Sequence, residues 1–262
     1  DRPLCGMFQR PRPKDKPETT NLVWSREKKQ ITVAGAGNEH VPFQVVISAP
    51  VPEGWRPKAP DGFFITVSDL SSSTGKTIPQ KQVSLFLEHY IQIYAMSSPV
   101  GATGYWPDAL APLRESFSMQ AMYAVVGNRP IWIDITIPTG SAAGKYSGKI
   151  TVFKDGNILE TLDLQLEVYN FSLPEQTHLI TYFNISKGEL GRLYNKPVSN
   201  PEIEQLSQPY FDILSTHRLE TWFNEPLVPE LTLKGEDVEL KFNEQRYDYY
   251  MNKRNCLAVF NR

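Results

Sequence analysis

The sequence lacks the features that mark several common protein classes. Its 262 residues carry 27 basic and 29 acidic side chains, so it has no basic excess of the kind that nucleic-acid binding normally requires. No apolar run approaches the ~20 residues of a membrane-spanning helix, so we expect no membrane span. With 40% hydrophobic and 21% charged residues, the chain can still form a folded core, and its length suits one large domain or two ordinary ones.

Cysteine is scarce, and the two present, Cys5 and Cys256, lie far apart in the sequence. Without a CxxC pair, a zinc ribbon and a thioredoxin motif are excluded. The two are either unrelated thiols, which we favour, or a disulfide in an exported protein. The chain begins at Asp1 rather than Met, which fits either a trimmed chain or removal of a signal peptide. We expect an exported protein: secreted, periplasmic or at the cell surface.

Motifs for metal, nucleotide and serine-nucleophile chemistry are missing too. The four histidines show no HxxxH or HExxH spacing, and there is no GxSxG elbow. Residues 71–77 resemble a phosphate-binding loop, but they lack its first glycine and lie between predicted strands, so we interpret them as a turn. The sequence therefore predicts no metal and no cofactor.

The sequence predicts β-strands over the first two thirds of the chain. Between residues 131 and 137, four isoleucines alternate with polar or aromatic residues, a period of two that places them on one face of a sheet. Asp155-Gly156 separates two alternating runs, which is a strong hairpin signal. We predict an antiparallel β-sandwich over residues 1–174. Its further strands are predicted at residues 30–33, 41–48, 63–69, 83–88 and 90–95.

The pattern changes after Pro174. A helix is predicted to begin at Asn200-Pro201 and to kink at Pro209, and a second to begin at Asn243. Strands are predicted at residues 178–184, 219–223 and 256–260. Their spacing of about 40 residues is typical of a β/α barrel, and the alternative is a small three-stranded α/β subdomain. A β/α (TIM-like) barrel needs roughly 250 residues, so residues 175–262 would be only the beginning of one, and we expect a longer protein.

Four stretches carry a family resemblance by their content and order. They are residues 37–46 (GNEHVPFQVV), 106–113 (WPDALAPL), 130–150 (PIWIDITIPTGSAAGKYSGKI) and 168–174 (VYNFSLP). In this order they resemble the N-terminal region of glycoside hydrolase family 123-like proteins and their bacterial relatives, in which a β-sandwich precedes a β/α barrel. The resemblance covers most of residues 20–180.

Each of these motifs also has a structural interpretation, which we favour. Glu39 is predicted to be a buried hydrogen-bond anchor, and Tyr146 is predicted to pack the sandwich beside hairpin glycines. Residues 106–108 are predicted to lie in a long loop, with Trp106 in domain packing rather than in contact with sugar.

The resemblance implies hydrolysis of N-acetylhexosamine (galactosaminide) glycosides, with the substrate's acetamido group as nucleophile. An Asp-Glu pair serves that reaction in the family: the Asp orients the acetamide and the Glu protonates the leaving oxygen. This sequence contains no Asp-Glu dipeptide, and its reversed Glu236-Asp237 lies in a polar, glycine-containing turn. We therefore assign no catalytic residue, place the pair beyond Arg262 and expect the 262-residue chain to be inactive alone. The alternative is a non-catalytic carbohydrate-binding or structural cell-surface protein.

Glycan contacts are predicted from position alone. Ligands of a barrel gather at the C-terminal ends of its strands. Tryptophan offers a flat apolar face to a sugar ring, and Asn and Glu side chains can bond its hydroxyls, although ordinary strand-end packing remains an equal alternative. The predicted substrate-binding residues are Tyr182, Asn184, Trp222, Asn224 and Glu225.

Overall fold

The structure of this chain, a computed structural model, consists of two compact units, Asp1–Leu173 and Pro174–Arg262. The ranges that it describes are 21–48, 62–96, 101, 103–118, 120–121, 124–125, 128–175, 179, 181, 183, 185–219, 230–235, 237–241 and 244.

The described part of the first unit is built almost entirely from β-strands. They are β1 (Trp24–Ser25), β2 (Gln30–Gly37), β3 (Glu39–Ser48), β4 (Phe63–Val67), β5 (Leu70–Ser72), β6 (Thr77–Ile78), β7 (Val83–Ile93), β8 (Gly104–Pro112), β9 (Gln120–Ala121), β10 (Ala124–Val125), β11 (Asn128–Ile137), β12 (Gly144–Lys154) and β13 (Asn157–Ser172). A single 3-10 turn, Gln80–Gln82, precedes β7.

Two sheets form the sandwich. The larger has the order β1-β2-β13-β12-β5-β6, with β4 also paired to β12, and the smaller has the order β3-β11-β7-β8. Strands β9 and β10 pair only with each other among the described residues. Buried side chains from both sheets merge into one hydrophobic cluster, so the core lies between the two sheets. The predicted mainly β, sandwich-type fold of this region is therefore confirmed.

The isoleucine alternation explains how β11 anchors that core. Ile131, Ile133, Ile135 and Ile137 are each 0% exposed, as the period of two predicts. Strand β11 pairs with β3 on one side and β7 on the other, which makes it a central strand. Leu164, Leu166 and Val168 of β13 supply the facing apolar surface from the larger sheet in the same alternating way.

One pairing departs from the antiparallel prediction. Strand β13 pairs with β2 in parallel, with Leu166 opposite Val33. The two strands are distant in the sequence, and no local pattern such as a hairpin turn marks their relation. All other strand pairs in the described residues are antiparallel.

The hairpin predicted at Asp155-Gly156 joins β12 and β13. Both residues have positive φ, +50° and +80°, the left-handed conformation that a tight two-residue turn requires. Strands 83–88 and 90–95, predicted as two, are instead the single strand β7, because a bulge between His89 and Tyr90 shifts the register while the pairing to β8 continues.

The loop prediction for residues 106–108 was wrong. Trp106 lies in β8, where it pairs with Ile91 of β7. Pro107 and Pro112 both lie in β8, which is at the edge of the smaller sheet, where a residue without an N–H is tolerated. Pro42 occupies the opposite edge strand, β3, for the same reason.

An exposed ion pair on the larger sheet gives a testable pH effect. Nζ of Lys29 lies 2.9 Å from Oε2 of Glu160, and this hydrogen bond, with help from the Thr161 N–H, lowers the pKa of the Glu160 carboxyl. Because the pKa of this carboxyl is lower in the folded than in the unfolded chain, the ion pair stabilises the fold at pH values above the unfolded-state pKa. That contribution is lost as the pH falls through the folded-state pKa. Lys29→Ala is expected to raise the Glu160 pKa toward its usual value, measured by NMR titration of the carboxyl carbon.

The matched control for that titration is Lys149→Ala. Lys149 pairs with Asp163 at 3.2 Å on the same sheet, and both side chains are exposed. Its removal should leave the Glu160 pKa unchanged. An unshifted Glu160 pKa in Lys29→Ala would contradict the assignment of the shift to this pair.

The second unit contains helices α1 (Lys187–Leu193) and α2 (Glu202–Thr216) and a hairpin of β14 (Glu230–Lys234) and β15 (Asp237–Lys241). Helix α2 confirms the predicted helix, which begins one residue after Pro201 and contains Pro209, and the kink at Pro209 stays a prediction. Helix α1 was not predicted; it is short, and its capping residue, Ser186, accepts from the Glu189 N–H. The hairpin was not predicted either, and every residue of its strands is exposed.

The barrel interpretation of the second unit stays a prediction. Its three predicted strands and the predicted helix at Asn243 fall largely outside the described residues, as do Cys5 and Cys256. Within the described part of the chain, we find no helix of the length and apolarity needed to cross a membrane.

Candidate functional site

The five predicted glycan contacts, Tyr182, Asn184, Trp222, Asn224 and Glu225, all lie outside the described residues. They therefore remain predictions. Within the described residues, a group of buried and half-buried polar side chains lies on the outer face of the smaller sheet, opposite the isoleucines of β11. We call the set His40, Gln44, Glu88, Asp134 and Thr136 the polar face.

Asp134 is the central member of the polar face. It is only 6% exposed, and strand register places it between Pro42 of β3 and Ser84 of β7. Its Oδ2 lies 3.1 Å from Nδ1 of His40, and the same nitrogen lies 3.3 Å from Oγ1 of Thr136. A carboxylate only accepts, so Nδ1 carries the proton in this hydrogen bond. Oδ1 of Asp134 is buried without a hydrogen-bond partner among the described residues.

Glu88 is the second buried carboxyl on this face. Nε2 of Gln44 on β3 donates to its Oε1, and this hydrogen bond reaches across β11 to β7. At the same end of the sheet, the Tyr90 hydroxyl donates to the Asn128 carbonyl at 3.0 Å. These bonds tie three neighbouring strands together through side chains as well as through the backbone ladder.

Arg129 occupies the inward side of β11, one residue beyond Asn128. It is buried; its Nε donates to the Ser118 carbonyl at 3.0 Å, and its Nη1 has no hydrogen-bond partner among the described residues. Burial lowers the pKa of the Arg129 guanidinium, and the nearby Tyr90 hydroxyl partly offsets that shift.

The two buried carboxyls do not form a glycosidase pair. Ser84 is the register partner of Asp134, and Glu88 follows four residues later on β7, which corresponds to about 14 Å along the strand. Paired glycosidase carboxyls lie about 5–9.5 Å apart. The spacing therefore argues against hydrolysis on this face by a pair of carboxyls.

The imidazole of His40 is also unsuited to relay a proton between the Thr136 hydroxyl and the Asp134 carboxylate. In a Ser-His-Asp arrangement the nucleophile and the carboxylate contact different ring nitrogens. Here Asp134 and Thr136 both approach Nδ1. The arrangement can fix the ring and link β3 to β11, which is a structural function.

Sequence reasoning missed the polar face. Asp134 and Thr136 stand in the isoleucine alternation, which correctly assigned them to the face opposite the core. The period of two tells which face a residue occupies but not whether that face is buried. An aspartate in the middle of a strand was the available signal, because aspartate is depleted there and needs a partner.

Two motif residues have the structural functions that the sequence predicted. The Glu39 carboxylate is half-buried and accepts the Ala36 N–H at 2.6 Å. Tyr146 is buried in the core, and its hydroxyl donates to the Ala142 carbonyl at 2.8 Å. Both residues therefore stabilise the sandwich itself.

Comparison with known structures shows the same fold. A family 123 glycoside hydrolase from Clostridium perfringens, studied for glycolipid glycan hydrolysis, superposes with a TM-score of 0.59 at 16% identity. The match covers 85% of this chain and 40% of that one, so the chain spans well under half of its length. At this identity the likeness shows the fold alone.

Two further structures give weaker matches. The N-terminal domain of PorA gives a TM-score of 0.28 at 10% identity, covering 55% of this chain and 90% of that one. MyfA, the major subunit of Myf fimbriae from Yersinia enterocolitica, gives 0.26 at 10% identity, with 54% and 91% covered. Both scores are too low to carry an argument. No curated protein sequence matches the chain.

The family comparison agrees with the order of the sequence motifs. The model of the glycoside hydrolase 123 N-terminal domain matches residues 21–154, just over half of the chain, and this range covers most of the sandwich strands. The chain therefore belongs to the glycoside hydrolase 123 N-terminal domain family.

Proposed function

We propose that these 262 residues are the N-terminal accessory region of an exported glycoside hydrolase that acts on N-acetylhexosamine glycosides. The observation that carries the proposal is the family match over residues 21–154. The spacing of Asp134 and Glu88 supports an accessory function for the sandwich, because it does not suit a two-carboxyl mechanism.

The proposed chemistry is substrate-assisted. The oxygen of the substrate's acetamido group bonds to the anomeric carbon as the bond to the leaving oxygen breaks. A Glu gives that oxygen its proton, an adjacent Asp orients the acetamide, and water then opens the cyclic intermediate to release the sugar. No Asp-Glu dipeptide occurs in the sequence, so we place the pair outside these residues.

Within this chain, the proposed glycan contacts remain the strand-end set Tyr182, Asn184, Trp222, Asn224 and Glu225. They would belong to the beginning of a β/α barrel over residues 175–262. The support for them is the sequence pattern: Pro226 ends the predicted strand, so Trp222 would lie near its C-terminal end, where barrel ligands bind.

Hydrolysis of paired aryl glycosides tests the proposed function. The protein that contains this region together with the remainder of its chain should hydrolyse aryl 2-acetamido-β-galactoside but not the matching aryl β-galactoside, because only the first carries the internal nucleophile. The 262-residue chain alone should hydrolyse neither. Trp222→Ala in the longer protein should raise KM by roughly tenfold through loss of ring stacking.

Asp108→Asn is the control for the Trp222 variant, since Asp108 is exposed on an edge strand of the sandwich. Its KM should equal that of the parent protein. Equal hydrolysis of both glycosides, or turnover by the 262-residue chain, would contradict the proposal. An unchanged KM in Trp222→Ala would remove that residue from the proposed site.

A further inference from the structure

Two aromatic side chains on the outer face of the larger sheet are exposed side by side. Tyr169 and Phe171 are 44% and 59% exposed, and both lie on β13. Their rings are nearly parallel, with an interplanar angle of 10° and 5.9 Å between centroids. Val168, which precedes Tyr169, is buried in the core, and side chains alternate between the two faces of a strand. Tyr169 and Phe171 therefore face away from the core. We call Tyr169 and Phe171 the aromatic platform.

The neighbouring strands leave the platform open. On β2 the outer face carries the small residue Ala34, whose register partner is Glu167. Strand β12 begins at Gly144, the register partner of the inward Val168, so it places no residue opposite Tyr169 or Phe171, and its nearest outward side chain is Lys145, opposite Glu167. Glu167 is exposed and precedes Tyr169 by two residues on the same face. The rings thus stand beside a carboxylate and the Tyr169 hydroxyl, which together can bond several sugar hydroxyls.

The size of the platform identifies its class of ligand. Two aromatic side chains that are about half exposed offer roughly 200 Å². A stable protein interface needs about 800 Å² from each partner, so this patch alone is too small for one. An apolar face with a few polar groups at its border matches the chemistry of a pyranose ring, which has an apolar face and a rim of hydroxyls.

We propose that the aromatic platform binds a sugar ring of a glycan, which makes the sandwich a carbohydrate-binding surface in addition to the predicted barrel strand ends. The proposal rests on the proposed function for its class of ligand. It goes beyond that function by placing a second sugar contact on Tyr169 and Phe171, with Glu167 as hydrogen-bonding neighbour. Such a surface would hold the enzyme on a glycan-bearing substrate.

Titration of the 262-residue chain with the methyl β-glycoside of N-acetylgalactosamine tests this proposal by NMR. Backbone amides of residues 165–172 are expected to shift on titration. The double variant Tyr169→Ala/Phe171→Ala should bind about tenfold more weakly or not at all, whereas Tyr169→Phe should retain most of the affinity because it keeps the ring. Circular dichroism should show an unchanged fold, since both side chains are exposed.

Phe64→Ala is the matched control. Phe64 is also partly exposed on the larger sheet, but its ring is tilted by 44° against Phe153 and offers no parallel pair. Its variant should bind like the parent chain. Three results would each overturn the proposal. They are no binding by the parent chain, amide shifts only outside residues 165–172, and a double variant that binds with the affinity of the parent chain. Concentration-dependent dimerisation that the double variant abolishes would also overturn it, because the occupant would then be a second copy.

The two proposals fail separately. Acetamido-selective hydrolysis by the longer protein can persist when the 262-residue chain binds no sugar, and then only the platform is lost. Binding at residues 165–172 without hydrolysis by the longer protein would instead overturn the proposed enzymatic function and leave a carbohydrate-binding protein.

Discussion

Replacing Ile133 by alanine is expected to lower the free energy of unfolding by about 3–4 kcal/mol. Ile133 is 0% exposed at the middle of β11, with Leu85 of β7 and Phe43 of β3 as its register partners. Strands on both sides hold the backbone in place, so the site cannot collapse onto the cavity that the truncation leaves. Urea unfolding followed by circular dichroism measures the loss, and the melting temperature should fall by on the order of 10 °C.

Two variants calibrate that result. Ile133→Val removes one methylene and should cost about 1 kcal/mol. Leu159→Ala, on β13 with 54% of the residue exposed, should change stability by less than about 0.5 kcal/mol. If Ile133→Ala cost no more than Leu159→Ala, the core would not lie between the two sheets as described.

Local patterns in the sequence predicted the elements of the sandwich but not all of their pairings. The isoleucine alternation of β11 and the Asp155-Gly156 turn both encode their structures within a few residues. The parallel pairing of β2 with β13 joins segments about 130 residues apart, and no local signal reports it. Strand β8 contains two prolines, which are tolerated because it is an edge strand, and the sequence does not reveal which strands are edges.

The candidate sites were harder to predict than the fold. The aromatic platform can be seen in the sequence only as Tyr-x-Phe in an alternating strand. Exposure of that face depends on the small Ala34 of β2 and on where β12 begins, at Gly144. The polar face depends on burial in the same way. Neither the exposure of Tyr169 nor the burial of Asp134 follows from the period of two, because both depend on residues far away in the chain.

Replacing Asp134 by alanine is expected to destabilise the protein by about 3 kcal/mol, close to the loss at its core-facing neighbour Ile133. The carboxylate is 6% exposed, and its removal leaves Nδ1 of His40 without the acceptor that lies 3.1 Å away. The longer contact of 3.3 Å between that nitrogen and Oγ1 of Thr136 compensates only part of the lost hydrogen bond to a carboxylate. Urea unfolding of Asp134→Ala measures this loss.

The interaction itself is isolated by a double-mutant cycle over Asp134→Ala and His40→Ala. We expect a coupling energy of about 1–3 kcal/mol, because the two side chains share one partly buried hydrogen bond. Asp163→Ala is the matched control: Asp163 also pairs across strands, with Lys149, but its side chain is 59% exposed and the pair is solvated. That variant should cost at most about 1 kcal/mol. A coupling energy near zero would mean that His40 and Asp134 contribute independently, and the polar face would then owe its stability to packing alone.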